Sequence, residues 1–188
     1  VGFRDDIFKE NNISYQKSKK ENIINCEQGL ANIPGWAEHQ ELTNHDERVV
    51  RRLKKTAEGK NVWDLGNDED GLPGVTKARM SHIYKRLNRN EPSYTVTGSG
   101  GGGTHVYHYE EPRALTNRER ARLQTFPDDY NFCGGKESIR RQIGMAVPVE
   151  GAKKIMIAVK DALKKREQRI SYHHEWMIKA NGKDLYFT

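Results

Sequence analysis

Apolar positions in this chain are sparse and gathered into a few segments with distinct periods. Between Asp46 and Glu58, Val49, Val50 and Leu53 share one helical face, and Gly59 is placed to stop the helix. After Pro148, the residues Ala152, Ile155, Met156, Val159, Ala162 and Leu163 follow the i, i+3, i+4, i+7 rhythm of a strong amphipathic helix. Thr116 and Glu119 have the spacing of a capping box and open a short helix that Pro127 is expected to end. In the middle of the chain the period changes to two. Ser81–Leu87 carries His82, Tyr84 and Arg86 on one face and Ile83, Lys85 and Leu87 on the other. Ser93–Thr97 and Thr104–Tyr109 read as further strands, separated by the glycine-rich run Gly98–Gly103. Residues 5–45 are polar and irregular, with a solvated loop or weak helix over Gln16–Asn25, and residues 67–74 form an acidic, turn-rich stretch. The tail from Glu167 onward is polar with scattered aromatics and takes no assignment. The pattern as a whole predicts a mixed α+β chain.

Composition narrows the partners. The chain of 188 residues has a hydrophobic fraction of 35% and a mean hydropathy of −0.93, which fits a thin domain with a large wet surface. Its net charge is +6, and from Lys77 to Arg122 nine basic residues face four acidic ones. Such a balance favours a polyanion, because neutralised phosphates release condensed counterions. Two cysteines, Cys26 and Cys133, make neither a disulfide framework nor a CxxC metal spacing, so two free thiols in a reducing cytoplasm are expected. No stretch reaches the length of an apolar membrane span, and no signal peptide opens the chain. Val1-Gly2-Phe3-Arg4 reads as the tail of a strand, and with no initiator Met an upstream segment is expected.

Candidate chemistry concentrates around the glycine run. A backbone without Cβ atoms can approach a nucleic-acid groove closely, and Tyr94, Thr95, Thr97, Thr104 and His105 flank it with donors and acceptors. A flexible hairpin loop is the plainer alternative. A phosphate-binding P-loop is not, since Gly103 rather than Lys precedes Thr104. Arg79, Lys85, Arg86 and Arg89 are either phosphate or base contacts or a solvated basic face. Arg118, Arg120 and Arg122 either brace the strands and reach phosphates or form ion pairs with Glu119 and Asp128. His82, His105 and His108 are either contacts or ordinary surface and core residues.

Three segments together carry a family resemblance. Arg113-Ala114-Leu115-Thr116-Asn117-Arg118-Glu119-Arg120-Ala121-Arg122-Leu123-Gln124-Thr125-Phe126-Pro127-Asp128-Asp129-Tyr130 resembles motif IX of the DNA (cytosine-5)-methyltransferases. Gln142-Ile143-Gly144-Met145-Ala146-Val147-Pro148 resembles motif X, and Val1-Gly2-Phe3-Arg4 resembles the end of motif VIII. Pro92–Thr97 sits where the family carries a Thr-Leu/Ile/Val dipeptide. The order is the family's own, and it covers nearly the whole chain to about Lys165.

The resemblance implies a small β-containing target-recognition domain, with C-terminal helices that complete an α/β domain binding S-adenosyl-L-methionine. It places residues 1–12 at the end of a catalytic-domain strand, 13–130 in the recognition domain and 131–166 in the motif X segment, with 167–188 a polar tail. It implies a duplex-DNA surface drawn from Arg79, His82, Lys85, Arg86, Arg89, Thr95, Val96, Thr97, Gly98, Ser99, Gly100, Gly101 and Thr104, where ordinary strand packing is the other reading of Thr95 and Val96. Motif IX residues Arg113, Thr116, Arg118, Glu119, Arg122 and Pro127 would organise that domain, and Met145, Ala146 and Val147 would lie beside the cofactor. Met145 stands where the family usually has Asn, which implies either a Met-bearing subfamily or an altered cofactor geometry. The family's nucleophile is a Cys after Pro, whereas Cys26 follows Asn25 and Cys133 follows Phe132. With no FxGxG loop and no Glu-Asn-Val motif either, the chain alone is expected to be inactive and to need a catalytic N-terminal part, in the same polypeptide or a separate subunit. The expected setting is bacterial restriction–modification in the cytoplasm. A non-catalytic DNA-binding module and a basic RNA-binding or scaffolding protein are the competing classes.

Overall fold

The computed structural model describes residues 23–66, 68–72, 81–100, 103–164, 176–178 and 185–187. It divides into two compact units, residues 23–149 and residues 1–22 with 150–188.

The unit 23–149 is built on short capped helices. Helix α1 (Cys26–Leu30) starts at Asn25, whose side chain accepts from the Gln28 amide while Gln28 reaches back to the Asn25 amide. Helix α2 (Glu47–Lys55) is the helix expected from Val49, Val50 and Leu53. Asp46 caps it, Arg52, Lys54 and Lys55 complement its C-terminal carbonyls, and Gly59 follows at φ 72°. A 3-10 turn covers Val62–Leu65. Helix α3 (Asn117–Leu123) opens with the expected Thr116–Glu119 capping box. Helix α4 (Lys136–Met145) begins at Gly135 and buries Ile139, Arg140 and Ile143. Three apolar clusters hold the unit together, centred on Cys26, Leu87 and Leu115; on Leu53, Tyr84 and Tyr107; and on Val96, Ala121 and Ile143.

Two expectations are corrected here. The three strands expected between residues 81 and 109 do not form; among the described residues of that stretch, only isolated bridges join Arg86 to Tyr107 and Tyr107 to Ala114. The chain turns at residues 81–84, where Tyr84 has φ 47°, and the carbonyls of His108 and Tyr109 accept from the Arg86 guanidinium instead of from a strand partner. Burial also runs through both faces from Val106 to Tyr109, so alternation there does not separate core from solvent. The second correction concerns Pro127, which does not end α3. The helix stops at Leu123, the chain passes through Thr125 at φ 59°, and the Pro127 carbonyl accepts from Arg118 at 3.1 Å.

Helix α5 (Val149–Lys164), which belongs to the other unit in all but its first residue, forms where the apolar rhythm after Pro148 predicts it. Ile155, Met156 and Ile157 on it are exposed. Strands β1 (Trp176–Ile178) and β2 (Leu185–Phe187) pair antiparallel, Trp176 opposite Phe187, inside the tail that had no assignment. Among the described residues no helix is long and apolar enough to cross a membrane.

Candidate functional site

Helix α3 is a cluster of arginines turned inward. Arg113 makes a two-pronged pair with Glu119, both contacts at 2.8 Å, and Glu119 also accepts from the Thr116 amide at 2.7 Å. Burial alone would raise the Glu119 carboxyl, but Arg113 more than offsets it and holds the group below the usual range. Arg118 is fully buried and donates to the carbonyls of Glu38, Pro127 and Tyr130 at 2.9, 3.1 and 2.9 Å. Arg122 pairs with both oxygens of Asp128 and reaches the carbonyls of Ala31 and Asn32. Arg120 is fully buried too, and donates to the Thr97 carbonyl at 3.2 Å and to His105 Nδ1 at 3.3 Å. These side chains form a frame rather than a phosphate-binding surface.

Against this frame lies the segment from Thr95 to Gly100. Val96 is buried among Ala121, Phe132, Ile139 and Ile143, while Thr95, Thr97, Ser99 and Gly100 face outward. The hydroxyls of Thr97 and Ser99 lie 3.0 Å apart. Gly98 passes so close to α4 that a Cβ added to it would stand 3.1 Å from the Cα and the carbonyl oxygen of Arg141. A Cβ on Gly144 would overlap the backbone of Thr97 and Gly98, and one on Gly100 would overlap the Arg140 guanidinium. Gly103, at φ 88°, accepts from the Tyr84 amide at 2.7 Å, so the glycine run is anchored at both described ends. Thr104 follows it, partly buried.

The remaining predicted residues scatter. His82 is exposed and stacks on Tyr94 with ring centroids 5.5 Å apart, and the Lys85 ammonium sits 5.0 Å above the same ring. Arg89 is held by Glu58 at 2.7 Å and lies over Tyr109. Arg86 is buried and donates to the carbonyls of Leu53, Thr56, His108 and Tyr109, so its guanidinium is turned into the core. That corrects its placement among the outward contacts. His108 is buried as well, and its Nδ1 accepts from the amides of Glu110 and Glu111. Arg79 and Gly101 lie outside the described residues.

At the end of α4, Met145 is 77% exposed and Val147 63% exposed, with Ala146 half-buried between them. Gln124 donates to the carbonyls of Ile143 and Ala146 and so fixes the turn that presents them. Sequence reasoning missed Arg140, which is buried beneath the loop and paired with Glu137 at 2.7 Å. It also missed His45, whose Nε2 accepts from the Ala114 amide at 3.0 Å. Neither position carries a signal in a single sequence. Cys26 is buried, and desolvation, with Glu91 adding to it, pushes its thiol up to about 11, a state opposite to that of a nucleophilic cysteine. Cys133 is free and exposed.

A family model for the C-5 cytosine-specific DNA methylases matches residues 1–161. The chain belongs to that family. It is 54% identical over 156 residues to the type II methyltransferase M.BbvI of Brevibacillus brevis, covering 81% of this chain and 42% of that protein. It is 41% identical over 152 residues to the type II methyltransferase M.NgoFVII of Neisseria gonorrhoeae, covering 81% of this chain and 40% of the other. The DNA (cytosine-5-)-methyltransferase M.ApeKI of Aeropyrum pernix is 56% identical over 116 residues, 61% of this chain and 24% of its own length. The family member described here therefore spans well under half the length of the relatives it matches.

Proposed function

We propose that these residues form the DNA-recognition and C-terminal portion of a DNA cytosine-5 methyltransferase of a restriction–modification system. In this reading they grip duplex DNA while a catalytic part, in the same polypeptide or a second subunit, flips a cytosine and methylates it. The observation that carries the reading is the outward set Thr95, Thr97, Ser99 and Gly100 held on a buried arginine frame. A glycine-rich backbone with alternating hydroxyls can approach base edges and phosphates closely. His82 and Lys85, gathered on Tyr94, add an imidazole and an ammonium to that set. Extruding a base costs a few kcal/mol, which contacts of this kind must offset.

In this reading the attacking sulfur comes from the catalytic part: the thiolate of Cys26 is suppressed, and Cys133 follows Phe132 and not a proline. S-adenosyl-L-methionine is the methyl donor this reading implies. The side chains of Met145, Ala146 and Val147 can give that group an apolar wall, and they bring no charge to it. Exposed Met145 and Val147, and exposed Ile155, Met156 and Ile157 in α5, also suit burial against a further body of protein better than a free-standing DNA-binding module.

Methyl transfer from labelled S-adenosyl-L-methionine to duplex DNA tests the reading, with the 188 residues alone and with a catalytic half carrying the Pro-Cys segment. Transfer is expected only in the second case, with 5-methylcytosine as product. Transfer by the chain alone refutes the division of labour, and absence of 5-methylcytosine from the combined reaction refutes the assignment.

A further inference from the structure

Arg120 is out of keeping with the other arginines in and just before α3. Arg113 and Arg122 face carboxylates and Arg118 has three carbonyls, whereas Arg120, fully buried, has no carboxylate within ion-pair distance among the described residues. Its Nε has no hydrogen-bond partner among the described residues. Burial and the nearby Arg140 pull its guanidinium down to about 10. An apolar side chain would fill that space without desolvating a cation, so packing does not account for an arginine here. What the guanidinium does hold is the carbonyl of Thr97, with His105 Nδ1 fixing its other arm.

The same stretch of backbone is gripped from a second side. Gly98 lies on α4 at Arg141 and Gly144, Gly100 lies on the Arg140 guanidinium, and Val96 is sunk between Ala121, Ile139 and Ile143. Each residue whose side chain faces outward thus has a neighbour pinned by the core. We infer that Arg120 and the Arg140–Gly144 turn of α4 are positioning residues that set the sequence discrimination of the enzyme without touching DNA. They do so by fixing where Thr95, Thr97 and Ser99 stand. The inference rests on the reading that this segment faces the duplex.

The test uses the enzyme completed by its catalytic half. Bisulfite sequencing of a methylated plasmid gives the ratio of methylation at preferred sites to methylation at sites differing by one base. Arg120→Met is expected to lower that ratio about tenfold, the scale of one lost base contact, while the rate at preferred sites changes only a few-fold. Arg120→Lys keeps a cation and one donor for the Thr97 carbonyl and is expected to recover part of the ratio. Should Arg120→Met fail to fold, Arg120→Lys decides, because its single flexible donor still predicts a ratio below that of the parent. A ratio unchanged in either folded variant, with only thermal stability or overall rate reduced, overturns the inference. A parent enzyme that makes no 5-methylcytosine defeats the underlying assignment and this inference with it, and does so before any variant is compared.

Discussion

Replacing Arg86 with methionine separates a structural arginine from a DNA contact. In the structure its guanidinium donates to four carbonyls, those of Leu53 at 3.1 Å, Thr56 at 2.8 Å, His108 at 3.1 Å and Tyr109 at 2.5 Å. All four accepting residues are buried, and two of them stand just where a strand partner is lacking. Methionine fills the space of the aliphatic stem but leaves these acceptors without the donor. A buried acceptor left unsatisfied costs about 1–3 kcal/mol, and relief of the desolvated guanidinium, which burial depresses below its usual range, offsets part of the sum. The net loss expected is about 3–5 kcal/mol, since the four effects share one cavity and do not add. Urea unfolding of the parent and variant, followed by tryptophan fluorescence, measures it directly. The companion measurement is the salt dependence of duplex binding, whose slope should not change. A stability loss under about 1 kcal/mol, together with a slope reduced by one phosphate contact, would refute the reasoning and return Arg86 to the DNA surface.

Glu119→Gln keeps a residue able to complete the capping box but removes the charge facing Arg113; a loss of about 3–4 kcal/mol in urea unfolding is expected, and a loss below 1 would deny the pair its role. Gly144→Ala gains about 1 kcal/mol of helix propensity, yet its methyl meets backbone atoms of Thr97 and Gly98 that no rotamer can move, so a net destabilisation of about 1–2 kcal/mol and a shifted Gly98 amide resonance are expected. His45, His105 and His108 are all held neutral by burial, with Lys136, Arg120 and Arg113 respectively adding to it, and His105 is brought down to about 4. Because the folded state then binds fewer protons than the unfolded one, stability is full above pH 6.5 and falls as the pH drops from there toward about 4, by about 1–2 kcal/mol for His105 after allowance for its partial exposure. Melting temperatures at successive pH values for the parent and His105→Gln check the sign, since the variant should lose part of the slope.

Helices with a wide apolar face or a complete cap were legible in the sequence. Val49, Val50 and Leu53 announce α2, the Thr116–Glu119 spacing announces α3, and the rhythm from Ala152 to Leu163 announces α5. Helix α4 was not, because only Ile139 and Ile143 among its apolar residues enter the core while charged residues surround them. Helix α1 has five residues, too few for any period to register. The β-type alternation misled because side-chain donors can satisfy backbone carbonyls as well as a neighbouring strand can. Nothing in the order of residues marks Arg86 as the buried donor of that set, or tells it apart from Lys85 beside it. For the candidate site, motif IX and the Thr95-Val96 dipeptide named two segments that the structure packs against each other, Arg120 holding the Thr97 carbonyl. Which side chains turn inward was decided by packing: of the two readings open for Arg118, Arg120 and Arg122, the inward one fits their contacts, with Arg122 on Asp128 and the other two on backbone carbonyls.

The ties of α3 and α4 to residues far earlier in the chain bear on how the protein is made. Arg118 takes the carbonyl of Glu38 across 80 residues, Arg122 that of Ala31 across 91, and Lys136 that of Leu42 across 94. At roughly 5–20 residues per second of synthesis, the segment from Ala31 to Leu42 leaves the ribosome on the order of 5–20 s before any of these partners exists. Its exposed indole at Trp36 and its open carbonyls must be kept from other chains throughout that interval. Nascent chains stalled before residue 118 should therefore be chaperone clients, and those extended through α4, which supplies Ile139 and Ile143 to the core, should be so less often.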